Sequence, residues 1–378
     1  MSTGTSIRVA DGAARLGAGW SILSGSDSVG AVSGHVVPIE TGFSPFGGGP
    51  TLAIVGPGGE IAIVASNLES TGAETSAAER VHKYVGFSAD RPESYLSHYL
   101  AAVADALDAS GVEGRVAVEP STLPWLVADL LRERGSDLID ASREFAFALM
   151  VKTEAQLERL RHSAKLAALA QRTAIGAAEV GISELELFAA VRGAVEEAAG
   201  QRVAFAGDVL TGVERTSGVA GWPSARRITL GDMVLVDLAP RVDGYWSDSC
   251  NTFVVGRATG EFARMHELAS SALRAGIDVA RPGVPVNEID HAVRSVVAAA
   301  GFHYPHHTGH GIGTSVHEFP RIIPGETTPL EAGMVILLEP GVYQPGIGGV
   351  RLEWMFEVTE GGLVRLTDFE HDLTSTAR

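Results

Sequence analysis

The feature that most constrains the fold is an internal repeat. Gly181-Ile182 aligns with Gly283-Val284, Glu186-Leu187 with Glu288-Ile289, and Ala190-Val191-Arg192 with Ala292-Val293-Arg294, all at an offset of 102 residues. One residue is lost before the closing glycines, Gly200 and Gly301. Two Ala-rich helices can look alike by chance, but the shared boundary glycines favour duplication. Two helix pairs, each followed by strands, imply a pseudo-symmetric α+β domain. Thr153-x-x-Gln156 and Ser183-x-x-Glu186 are capping boxes, opening helices that run towards Gly181 and to Gly200. Helices are also expected over Glu261–Arg281 and Asn287–Ala300, with strands and glycine-rich turns from Met233 onward.

The first 145 or so residues follow another pattern. Two β-rich runs, Thr51–Val55 and Glu60–Val64, flank Gly56-Pro57-Gly58-Gly59 and predict a hairpin. Helical spacing over Glu93–Ala109 stops at Ser110-Gly111, Arg115–Val118 is a strand, Leu123–Arg134 is a helix stopped by Gly135, and Leu138-Ile139 is a short strand. Such alternation implies an α/β domain over residues 1–148, ahead of the repeat-containing domain over 149–378. A chain that is 45% hydrophobic and 20% charged is globular. A formal charge of −17 repels phosphate backbones and argues against a nucleic-acid partner. No apolar run reaches the length of a membrane span, and Met1–Ala18 lacks the pattern of a signal peptide. Cys250 is the one cysteine, which excludes an internal disulfide or a cysteine-based zinc site and makes a reducing cytoplasm the natural compartment.

Chemistry gathers in the second domain. Asp243-Gly244 between two β-rich runs signals a type I′ hairpin. Val242 then pairs with Tyr245 and Asp237 with Cys250, so Asp248 lies diagonal to Asp237 on the same face, roughly 7–8 Å away at Cα. Asp237 follows Val-Leu-Val in a strand that should be buried, where a carboxylate needs a partner. Further on, His303, His306, His307, His310 and His317 place five of the 12 histidines within 15 residues, around glycines at 309, 311 and 313. A lone histidine is usually structural; this cluster points to metal or catalysis. Glu339 ends an apolar strand, and Arg351 and Glu353 share a strand face. An Arg351–Glu353 salt bridge would account for Glu353 but not for Glu339. Four carboxylates and imidazole nitrogen cannot sit together without cations, because their pKa values would rise until some protonated. Two divalent ions would neutralise them, with oxygen-rich ligation suiting Mn²⁺ first, and Co²⁺, Fe²⁺ or Zn²⁺ as alternatives. Such a pair lowers the pKa of a shared water and clamps attacking and leaving groups.

These residues resemble those of the pita-bread metallopeptidases: prolidase, Xaa-Pro aminopeptidase, methionine aminopeptidase and their non-metal relative creatinase. The resemblance covers most of residues 150–378. It rests on the paired aspartates Asp237 and Asp248, His310 in Gly-His-Gly, Glu339 in Glu-Pro-Gly, Glu353 in Gly-Val-Arg-Leu-Glu, and the flanking His306 and His317. It implies a creatinase-like N-terminal α/β domain ahead of a pita-bread catalytic domain. It also implies metal ligation by Asp237, Asp248, His310, Glu339 and Glu353, with Asp248 and Glu353 bridging. Glu339 would shuttle a proton, His317 would stabilise the tetrahedral intermediate and His306 would contact substrate. Arg351 would orient Glu353 or a substrate carboxylate; Tyr245 and Trp222 are further candidate substrate contacts. The expected activity is hydrolysis of an Xaa-Pro-like peptide bond by a metal-bridging hydroxide, in a cytoplasmic homodimer.

Three positions depart from the family's pattern. Ala220 stands three residues before Pro223-Ser224, where family peptidases carry a histidine; Asn251 replaces a usual Arg and Trp354 a usual Asp. Trp222 and Glu214 lie near Ala220 in sequence and can reshape that wall. These departures motivate a second reading, a repurposed hydrolase or lyase acting on a C–N bond of a small non-peptide metabolite. A non-enzymatic binding protein fits less well, since such a protein would be expected to lose ligands.

Overall fold

The computed structural model describes residues 3–37, 48–90, 94–302 and 305–376. Contacts divide the chain into two compact units, Met1–Leu149 and Met150–Arg378. In the first, α1 (Gly4–Arg15), β1 (Trp20–Leu23), α2 (Ser26–Ser33), β2 (Leu52–Val55), β3 (Ile61–Ser66), α3 (Ser70–Glu74), β4 (Arg80–Tyr84), α4 (Tyr95–Ser110), β5 (Arg115–Val118), α5 (Trp125–Glu133), β6 (Asp137–Asp140) and α6 (Ser142–Met150) follow in order. Six strands form one mixed sheet in the order β4-β3-β2-β1-β5-β6. The hairpin joins β2 to β3 antiparallel, and all residues of both strands are buried. The expected start of α4 at Glu93 lies outside the described residues; its end comes at Gly111, whose left-handed backbone closes the helix. The polar N-terminus hides α1, which opens on a capping box of Thr3 and Ser6.

The second unit runs α7 (Glu154–Ala177), α8 (Glu184–Ala199), β7 (Ala204–Thr211), α9 (Gly212–Ser217), β8 (Met233–Val242), β9 (Tyr245–Trp246), β10 (Ser249–Val254), α10 (Gly260–Val279), α11 (Val286–Ala299), β11 (Gly309–Gly311), β12 (Glu318–Ile322), β13 (Val335–Leu338), β14 (Gly341–Gln344), β15 (Gly348–Arg351), β16 (Trp354–Thr359) and β17 (Gly362–Arg365). Both expected capping boxes form, Thr153 with Gln156 and Ser183 with Glu186. One sheet has the order β10-β8-β7, with β9 on β8; another has β12-β11-β13-β16-β17; β14 and β15 pair separately.

The repeat is physical. The Gly181 and Gly283 amides donate to the Ile228 and Leu330 carbonyls, and the Ile228 and Leu330 amides donate back to Ile182 and Val284. Every pair keeps the 102-residue offset. The same offset relates Asp237 to Glu339, so two of the proposed ligands occupy equivalent places in the two halves.

Candidate metal centre

Backbone register delivers the first two carboxylates. Asp243 and Gly244 both have positive φ, 50° and 85°, as a type I′ turn requires. Val242 pairs with Tyr245 and Asp237 with Cys250. Gln171 on α7 locks the two strands together, donating to the Val236 and Ser249 carbonyls at 3.2 and 2.8 Å. Asp248, two residues before Cys250, is 7% exposed.

His310 is set between Gly309 and Gly311 on β11. A Cβ at Gly309 would lie 1.9 Å from the Leu337 carbonyl oxygen, so only glycine lets β11 approach β13 this closely. The His310 Nδ1 lies 2.8 Å from the Gly311 carbonyl oxygen. That carbonyl holds the proton on Nδ1 and leaves the Nε2 lone pair for a cation. Nε2 is 3.6 Å from Glu339 Oε1. Glu339 is fixed by its own amide, which donates to the Thr308 carbonyl at 2.8 Å. Glu353 follows β15, its amide bonded to the Cys250 carbonyl at 2.9 Å. Asp248, His310 and Glu353 each offer a ligand atom within 4.8 Å of the others; His307, His310 and His317 form a second such group.

Burial and the neighbouring carboxylates Asp237 and Glu339 push Asp248 well above the usual range. Glu353 is raised for the same reasons, with Asp248 the largest of its charged neighbours. Burial would raise Glu339 too, but the His307 hydrogen bond and the surrounding imidazoles outweigh it and hold it near 2. Desolvation pulls His306 and His310 down to about 4, which keeps both neutral at pH 7. Glu353 Oε2 is buried with no hydrogen-bond partner, at a residue only 1% exposed. An orphaned carboxylate oxygen among other carboxylates and neutral imidazole suits divalent cations, so the donor set fits two metal ions.

Several expectations need correcting. Arg351 makes no ion pair with Glu353; its guanidinium crosses to Asp237 and also donates to the Val219 carbonyl at 2.9 Å. The chain turns out of β15 at Leu352, whose amide bonds the Pro340 carbonyl, so simple strand alternation does not carry through to Glu353. Tyr245 is not brought to the carboxylates. Pairing with Val242 puts it at the other parity from Asp237, and it packs with Leu157, Leu160 and Ile312 under Arg159. Trp222 is 88% exposed, in a loop tied down by Arg215 through the Trp222 carbonyl at 2.7 Å. Ala220 lies in that loop beside Val219, a β-branched residue at φ 73°. Asn251 is buried, opposite Val236 and so on the face away from Asp237. Trp354 stacks on His371 with ring centroids 4.3 Å apart, and His371 Nε2 reaches the Glu353 carbonyl at 3.3 Å. His306 Nε2 lies 2.9 Å from the Tyr343 hydroxyl, and the His317 ring centroid lies 4.5 Å from that of His310. His303 lies outside the described residues.

The sequence reading placed His307 in the histidine cluster without a role, and it missed Asp208. His307 Nε2 lies 2.8 Å from Glu339 Oε1, closer than either His306 or His310. Its place in the histidine cluster was the available signal. Asp208 is the β7 register partner of Asp237. It stood hidden because Gly207-Asp208 is poor strand sequence. Gly207 is needed there: a Cβ would sit 2.3 Å from the Asp237 carbonyl oxygen.

A sequence model of metallopeptidase family M24 matches residues 158–360. A Xaa-Pro dipeptidase of Pyrococcus furiosus is 33% identical over 226 residues, 59% of this chain and 65% of that relative. The matched stretch therefore spans a little under two thirds of that relative's length. Among solved structures, the prolidase of Pyrococcus horikoshii OT3 superposes with a TM-score of 0.82 at 24% identity, covering 98% of this chain and 100% of that one. The dipeptidase PepE of Mycobacterium ulcerans gives 0.80 at 27% identity, covering 98% and 96%. The whole-chain match places an N-terminal α/β domain ahead of a pita-bread catalytic domain.

Proposed function

The chain belongs to metallopeptidase family M24, and from that premise we propose that it is a two-metal hydrolase of the Xaa-Pro dipeptidase or aminopeptidase type, cleaving short peptides. The observation that carries the reading is the buried gathering of Asp248, His310 and Glu353, with Glu339 within 3.6 Å of His310. Asp237, Asp248, His310, Glu339 and Glu353 would hold the ions. Bound there, such ions would lower the pKa of a coordinated water and polarise the scissile carbonyl.

The chain's own groups do the rest. His307 engages Glu339 Oε1, which leaves Oε2 to take a proton from the attacking water and return it to the leaving amine. His317, exposed at the rim and adjoining His310, donates to the developing oxyanion. His306, oriented by Tyr343, lines the substrate side. Arg351 holds Asp237 in place.

The loop carrying Ala220 and the solvent-exposed Trp222 supports a second reading, hydrolysis or elimination at a C–N bond of a small non-peptide metabolite. A panel separates the two. The Mn²⁺-loaded protein is offered Xaa-Pro dipeptides, Xaa-Pro-Xaa tripeptides and a dipeptide without proline. Proline-dependent cleavage upholds the peptidase. Silence on every peptide, with two metals per chain by elemental analysis, overturns it in favour of the second reading.

A further inference from the structure

Glu353 projects from a gap between strands. β15 ends at Arg351 and β16 begins at Trp354. The link from Glu353 to a neighbouring strand is an isolated bridge to Cys250, made through its own amide at 2.9 Å. The side chain is not anchored at Oε2, which is buried without a hydrogen-bond partner. A carboxylate that gives its oxygens to metal ions cannot also be tethered through them, so its aim must come from the backbone behind it.

That backbone is held by the C-terminal segment. His371 Nε2 lies 3.3 Å from the Glu353 carbonyl oxygen, and because a carbonyl only accepts, Nε2 carries the proton. The ring is seated on Trp354, the residue after Glu353, with the two planes 16° apart and the centroids 4.3 Å apart. Trp354 is fixed in turn by its Nε1, which donates to the Phe369 carbonyl at 3.0 Å, and by the Arg365 guanidinium over its ring at 4.4 Å. Phe369 meets the His371 ring edge-on at 5.3 Å. The segment is bonded on both sides of this stack. The Met355 amide on β16 donates to Thr367 Oγ1 at 3.0 Å. The Val254 amide on β10 donates to the Leu373 carbonyl, and the Ser375 amide donates back to Val254. The segment therefore spans β16 and β10, on either side of the Glu353–Cys250 bridge. An Asp at position 354 has no ring on which an imidazole could stack, so the arrangement depends on the departure at Trp354.

We propose that His371, seated on Trp354, is a positioning residue that sets the aim of the Glu353 carboxylate toward the ions. The inference rests on the two-metal reading, so the test reads metal binding apart from turnover. His371→Phe keeps an aromatic face for Trp354 and removes the N–H. His371→Gln returns an amide N–H near the place of Nε2 and gives up the ring. A role confined to anchoring the C-terminal segment follows the ring; a positioning role follows the N–H.

Mn²⁺ is titrated calorimetrically into metal-free wild type, His371→Phe and His371→Gln, and each is measured for its metal-free Tm and for kcat and KM on an Xaa-Pro dipeptide. In His371→Phe one Mn²⁺ should bind about 10-fold more weakly, with the metal-free Tm close to that of wild type. Its kcat should fall while KM changes little. His371→Gln should recover most of the lost affinity, even where loss of the stack lowers its Tm. Unchanged Mn²⁺ affinity in His371→Phe overturns the proposal, as does a loss in His371→Gln as large as that in His371→Phe. Nitrogen-15 NMR of wild type, which needs no variant, should show the His371 proton on Nε2; a proton on Nδ1 also overturns it. Metal affinity that follows His371 without cleavage of any peptide upholds the proposal and sinks the peptidase reading. Cleavage with metal affinity indifferent to His371 does the reverse. A wild type that binds no Mn²⁺ sinks both.

Discussion

Individual side chains here are arranged against their own electrostatics. Asp248 and Glu353 are buried beside other carboxylates, and their pKa values rise accordingly. A carboxyl with a raised folded-state pKa contributes stability below its unfolded value, near 4, and loses it as pH rises through the folded value. His306 and His310, both depressed to about 4, act in the opposite sense, contributing above about 6.5 and losing it as pH falls. Metal binding needs deprotonated carboxyls, so the melting gap between Mn²⁺-loaded and EDTA-treated protein should widen from pH 5 to 8. Mn²⁺ binding should also release protons, readable by calorimetry in buffers of different ionisation enthalpy. A gap that is flat with pH would contradict the placement of these carboxyls. Asp248→Ala should abolish metal binding and activity together; full metal occupancy in that variant by elemental analysis would refute its assignment as a ligand.

At the scale of elements, one device sets a candidate ligand and another fixes the Val219–Trp222 loop. β11 approaches β13 only because Gly309 has no side chain. Gly309→Ala should displace His310 and cost at least about 3 kcal/mol in denaturant unfolding, with weakened metal affinity. The second device is Glu184 at the start of α8. Fully buried, it accepts from the Thr211 amide and hydroxyl, Arg215 Nε, and the Ser224 amide and hydroxyl. It thereby ties both ends of the segment that carries α9 and the Val219–Trp222 loop. Glu184→Gln should cost about 1–3 kcal/mol and speed amide exchange in residues 211–224, more than elsewhere. The Thr153 and Ser183 capping boxes, the hairpins at residues 56–59 and at Asp243-Gly244, and the helix pairs were legible in the sequence, because each depends on neighbours within a few residues. β7 was not, because its pairing with β8 overrides the poor strand propensity of Gly207-Asp208.

At the scale of the whole molecule, the acidic surface and the division into two compact units frame the expectations. The two units have separate cores, Ile22, Leu52 and Leu107 among others in the first and Val191, Val236 and Phe253 in the second. A ligand bound 100-fold above its dissociation constant stabilises its host by about 2.7 kcal/mol. Scanning calorimetry should therefore show the melting of Met150–Arg378 raised by Mn²⁺ relative to chelator; no shift would contradict a metal centre in that unit. No described helix is long and apolar enough to cross a membrane.

The sequence by itself determined the duplicated architecture, the Asp243-Gly244 turn and the positions of the candidate ligands. Periodicity, glycine placement and residue chemistry are local properties that survive without a three-dimensional partner. The tertiary structure decided which charges meet. Arg351 reaches Asp237 rather than Glu353, His307 takes Glu339, Tyr245 turns into the core, and Asp208 comes to face Asp237. Each of these depends on strands distant in sequence or on the exit path of a chain from its sheet. Over such separations the pattern of residues carries no distance, and only packing supplies it.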